Sequence, residues 1–76
     1  NIGHISIKVS NIYIFCEKLL SHGIELIRPP YDGNLAFIYS PEKIPIEIVQ
    51  ESEPLEIREY WSTMKINQDK MEFIRR

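Results

Sequence analysis

Leu35 to Tyr39 reads LAFIY, apolar at every position. A strand with apolar side chains on both of its faces suits a sheet that is covered on both sides. That demand is severe for a chain of 76 residues. A domain this small buries only about 60% of the surface that its unfolded chain exposes. The two covers must come from the rest of the chain, or from another chain.

One cover is readable directly. Ile5, Ile7 and Val9 alternate with Ser6 and Lys8, which predicts a half-buried strand over residues 2–9. Ser10-Asn11 is a natural helix N-cap pair, and Ile12, Phe15, Cys16, Leu19 and Leu20 follow at helical spacing. Ser21-His22-Gly23 closes the element, with Gly23 as the left-handed residue beyond the cap. The spacing thus predicts a helix over residues 11–22, its apolar stripe laid on the sheet. His22, at the helix C-terminus, reads as a partner of the helix dipole.

Further strands are predicted over residues 24–28, 35–39 and 44–50. Pro29-Pro30 stops the first of these, and Tyr31-Asp32-Gly33-Asn34 is turn chemistry. Ser40-Pro41-Glu42-Lys43 turns the chain again. The short connections imply antiparallel neighbours. The expected fold class is α+β: one βαβββ module, a four-stranded, mostly antiparallel sheet with one helix on one face. Residues 1–50 form the module and 51–76 a tail, in one domain. Pro54 suits the first turn of a helix, and Ile57, Tyr60, Trp61 and Met64 repeat at helical spacing. A tail helix over residues 54–65 follows, with Tyr60 and Trp61 as its docking anchors. Residues 67–76 extend it or fray.

Parity assigns the faces. Placing the isoleucines of the first and last strands against the helix turns His4, Ser6 and Lys8 the other way, together with Pro45, Glu47 and Val49. This open face also receives half of LAFIY, so it is apolar with a few polar points. Such a surface wants a cover. The tail helix is one candidate, and a second sheet from another module or chain is the other. Ser6, Phe37 and Tyr39 either line a substrate pocket here or simply pack the sheet.

His4 and Glu47 are the chemistry-bearing residues of that face. Imidazole nitrogen and carboxylate oxygen are metal ligands by type, and catalytic sites generally take three protein ligands. The remaining histidine, His22, belongs to the other side of the sheet. Spacing alone leaves open the blander reading of a strand-end histidine and a solvent-facing glutamate. The single cysteine, Cys16, lies in the helix stripe, excludes an intramolecular disulfide and fits a reducing compartment, hence the cytoplasm. A net charge of −2 with no basic stripe argues against nucleic acid and anionic membrane as partners. No apolar run is long enough to span a bilayer. The chain opens at Asn1, already in strand pattern, which predicts further sequence upstream.

GHISIKV, a helix ending in SHGIEL, and then LAFIYSPEKIPIEIVQ together resemble one βαβββ module of the vicinal oxygen chelate superfamily. That group holds glyoxalase I, methylmalonyl-CoA epimerase, extradiol dioxygenases and the bleomycin- and fosfomycin-resistance proteins. The resemblance covers residues 2–50. Its hallmarks are the histidine after glycine in the first strand, here Gly3-His4, and the glutamate of the last strand, here Ile46-Glu47-Ile48. Where the family often has Asp-Pro-Asp-Gly-Asn before the last strand, this chain has Ser40-Pro41-Glu42-Lys43.

The resemblance implies a divalent metal (zinc, nickel, manganese, cobalt or ferrous iron) held in part by His4 and Glu47. It implies a small oxygen-chelating substrate and lyase, isomerase, epimerase or dioxygenase chemistry. Family members set two modules side by side, so a second module is expected from a homodimer mate or a missing N-terminal half. The alternative is a small-molecule binding module of the drug-sequestering, resistance type. An unrelated ferredoxin-like domain, of order βαββαβ, is a third possibility.

Overall fold

A computed structural model describes residues 5–66. The elements are β1 (Ile5–Val9), α1 (Ile12–Ser21), β2 (Leu35–Tyr39), β3 (Pro45–Gln50) and the single turn α2 (Glu59–Ser62). The fold is α+β, with α1 against one face of a three-stranded mixed sheet of order β1-β3-β2.

The ends of α1 follow from the residues placed there. Asn11 is extended, and its side chain accepts from the N–H groups of Tyr13 and Ile14, both at 3.1 Å. Two of the helix's orphan donors are thereby satisfied. At the other end Gly23 has φ +77°. Its N–H donates to the Leu20 carbonyl at 2.9 Å, and that of Ile24 to Leu19 at 3.0 Å. These paired bonds are a Schellman motif, which needs the left-handed residue that glycine supplies without penalty.

β3 is the central strand. It pairs in parallel with β1, Ile5 opposite Ile46 and Ile7 opposite Ile48, and antiparallel with β2, Ala36 opposite Ile48 and Ile38 opposite Ile46. The sheet is therefore mixed rather than mostly antiparallel. β1 and β3 are joined through α1 and β2, so they can run the same way. Ala36, Ile38 and Ile48 are buried with Ile12, Tyr13 and Cys16, and Val9, Ile46, Phe15, Leu19 and Leu20 pack around them. Full burial of a residue such as Ile48 contributes about 1.5–3 kcal/mol.

The fourth strand expected over residues 24–28 is reduced to one bridge, Arg28 to Phe37. The cause is local. The Ile24 N–H is already engaged in capping α1, and Pro29 and Pro30 have no N–H to offer. Between these limits both Ile27 and Arg28 donate to the Phe37 carbonyl, at 2.8 and 3.2 Å. Two residues facing one is the pattern of a β-bulge, which ends regular pairing.

The tail also departs from the helix expected over residues 54–65. Among the described residues of the tail only Glu59–Ser62 is helical. Ahead of it, tertiary bonds hold the backbone: the Leu55 N–H donates to Gly33 at 2.9 Å, and the Tyr13 hydroxyl donates to the Glu56 carbonyl at 2.7 Å. Of the expected apolar stripe, Trp61 is buried and Met64 packs on the core, while Ile57 and Tyr60 are exposed. Trp61 stacks on Tyr13, with ring centroids 5.6 Å apart, and Tyr60 meets the Trp61 ring edge-on. Trp61 alone is thus a buried anchor. The expected extension or fraying over 67–76 lies outside the described residues.

Among the described residues Gln50 is the buried polar side chain. It accepts from the Ile12 N–H at 2.7 Å and donates to the Ser10 carbonyl at 2.8 Å, so the end of β3 is tied to the start of α1.

Candidate functional site

The sheet register sorts LAFIY between its faces. Ala36 and Ile38 face α1; Leu35, Phe37 and Tyr39 face away. Ser6 is opposite Glu47, and Glu47 is opposite Phe37, so these three form one row across the face turned from α1. Neighbouring strands lie about 4.8 Å apart, so the row brings a hydroxyl, a carboxylate and an aromatic ring side by side. Tyr39 is the diagonal neighbour of Glu47, about 7–8 Å away by backbone geometry. His4 lies outside the described residues.

Glu47 is half-buried, Ser6 is exposed and Phe37 is buried. None of Phe37, Tyr39 and Glu47 is without a partner. Ile27 and Phe37 form a second apolar cluster here, with Leu35, Tyr39 and Ile66 packed against it. A carboxylate beside such a cluster is costly unless it is paired or bound to a cation. By donor type it fits a divalent ion. Among the described residues no three or more His, Cys, Asp or Glu side chains converge. A metal held at Glu47 therefore needs ligands beyond those residues.

A polar cluster that sequence reasoning missed sits at the outer edge next to β2. The Arg28 guanidinium donates to the Leu35 carbonyl, pairs with Asp32 at 3.3 Å and lies over the Tyr31 ring at 4.3 Å. Asp32 also accepts from the N–H groups of Asn34 and Leu35, at 3.0 and 3.2 Å. Burial pushes the Asp32 carboxyl up, but the Asn34 N–H and the Arg28 guanidinium outweigh it and hold the group below its ordinary value. Both the Arg28 guanidinium and the Asp32 carboxylate are used to shape the turn, so the cluster is structural. The Asp-Gly signal in the sequence pointed to the turn but not to its arginine.

Two other singled-out residues are placed plainly. Cys16 is buried, and burial pushes its thiol up to about 12, so it carries no nucleophilic chemistry. His22 is exposed, with Nδ1 2.9 Å from the Lys18 carbonyl at the end of α1. On that side of the sheet a shallow groove of about 320 Å³ runs between α1 and the tail, lined in part by Ile14, Leu55 and Arg58. None of the residues expected to form a site lines it.

The fold and this face define a small α+β domain with a carboxylate set among apolar side chains. No family model matches the chain. No helix among the described residues is long and apolar enough to cross a membrane.

Proposed function

We propose that the chain is one module of a metal-dependent enzyme of the vicinal oxygen chelate type, with His4 and Glu47 as its contribution to the metal site. The observation that carries the reading is the Ser6–Glu47–Phe37 row, which sets the glutamate on the face away from α1. The Arg28–Phe37 bridge supports it further. It puts the segment after α1 at the outer edge beside β2, where the missing strand of a βαβββ module would pair. A divalent ion bound here supplies Lewis-acid chemistry to adjacent oxygens of a small substrate. Glu47 supplies a negative oxygen donor from a rigid central strand, and Phe37 and Tyr39 wall the face against water. The remaining ligands come from a second module, in a second copy or upstream in the chain. The lone buried thiol supports a cytoplasmic setting.

Metal analysis of purified protein is the test, alongside its mass in solution. Wild type is expected to carry a divalent metal, and His4→Ala and Glu47→Ala to lose it while remaining folded. Unchanged metal content in both variants overturns the assignment. A preparation that takes up small aromatic ligands but no metal supports a sequestering module instead.

A further inference from the structure

The tail spans both sides of the sheet within a few residues. Leu55, Trp61 and Met64 pack into the cluster on the α1 side. Ile66 packs into the opposite cluster, against Ile27 and Phe37 and alongside Leu35 and Tyr39. Two residues after Met64 the chain has therefore changed faces. On the α1 side it is held by that packing, by the Leu55 bond to Gly33 and the Tyr13 bond to Glu56, and by Trp61 and Arg58 on the Tyr13 ring. Glu56 and residues 57–60 are exposed, and only one helical turn stiffens this stretch. A segment with few buried contacts and short local structure opens at a lower free energy than the sheet does.

We propose that residues 55–66 are a releasable strap, anchored by Trp61 on the α1 side and packing Ile66 on the Ile27–Phe37 cluster of the opposite face. Bound, the strap occupies the surface of Phe37 that a small apolar ligand would use. Released, it exposes that surface beside Glu47. The inference rests on reading this face as the ligand face. A strap of this kind couples events at Trp61 to access on the far side of the sheet.

The test reads that coupling with an apolar fluorescent dye, anilinonaphthalene sulfonate, on the full chain without added metal. Ile66→Ser removes the cover, and Trp61→Ala removes the anchor on the other side. Each is expected to raise dye binding roughly fivefold, the scale of one half-buried isoleucine contact. Adding Phe37→Ser to either variant should cancel the rise. A cooperative urea-unfolding transition, which a dye-binding molten globule lacks, establishes that the variants are folded. If Trp61→Ala does not fold, Ile66→Ser decides alone. Folded Ile66→Ser with wild-type dye binding, or a rise that Phe37→Ser does not cancel, overturns the strap. Metal content is measured separately, so loss of the metal assignment and loss of the strap are distinct results.

Discussion

Two glycines at similar backbone angles make unequal demands. Gly23 has φ +77° with nothing within 4 Å of a built Cβ, so Gly23→Ala meets only the left-handed penalty, about 1–2 kcal/mol. Gly33 has φ +70°, and a Cβ there would sit 2.4 Å from the Leu55 carbonyl oxygen and 2.9 Å from the Tyr13 hydroxyl. Gly33→Ala must also displace the tail, and is expected to cost about 1–3 kcal/mol more, the scale of overpacking. Urea unfolding of the two variants compares them; equal midpoints contradict the account. Gln50 makes a second residue-level case. Gln50→Leu leaves the Ile12 N–H and the Ser10 carbonyl without their partner, and a loss of about 1–3 kcal/mol is expected for each group that stays dry.

At the scale of elements, α1 stands on local chemistry. Asn11→Ala removes the acceptor for two backbone N–H groups and should cost about 1 kcal/mol, read as a lower unfolding midpoint. That end of the helix was legible in the sequence because a cap is a short-range device: Asn11, the apolar spacing and Gly23 together bound it. The strands of the sheet were legible for the same reason, since alternation in Ile5–Val9 and the run of Leu35–Tyr39 are local. What was not legible came from competition at a distance. Residues 54–57 have helical spacing, yet Gly33 and Tyr13 claim their backbone groups. Tyr13 itself falls outside the Ile12–Phe15–Cys16 stripe and is buried beneath the tail, with Trp61 stacked on it and its hydroxyl bonded to Glu56. Residues 24–28 have strand composition, but capping before them and prolines after them leave room for one bridge. The placing of Ser6 and Glu47 on one face needed only parity. The partners of Arg28 needed the fold.

For the whole molecule, the surroundings of Asp32, Cys16 and Tyr13 bear on how stability changes with pH. The Asp32 carboxyl is held below its ordinary value. Its contribution is present above the unfolded-state value of about 4 and is lost as pH falls through the folded-state value. Asp32→Asn should therefore be less stable than wild type near neutrality, with the gap closing in acid. At the alkaline end the signs reverse. Burial pushes up both the Cys16 thiol, to about 12, and the Tyr13 hydroxyl. Stability from these groups is complete below their unfolded-state values, about 8.5 and 10, and is lost as pH rises toward the folded-state ones. Reaction of Cys16 with a thiol reagent should accordingly track global unfolding. Rapid labelling of folded protein would show that the core around α1 opens locally.

The parallel pairing of β1 with β3 bears on how the chain is made. β1 leaves the ribosome well before its partner β3, which is the latest of the three strands in sequence and the central one in space. A nascent chain ending before Pro45 can form α1 and its caps but cannot pair Ile5–Val9 with β3. Sheet formation then waits on one late segment and closes both sides of β3 at once. Contacts of this long sequence separation fold slowly for their size. Until β3 arrives, β1 and LAFIY are unpaired apolar strands in search of any edge, so this is the interval in which the growing chain is most prone to mispairing; Ile5 and Ile7 stay exposed even in the finished sheet.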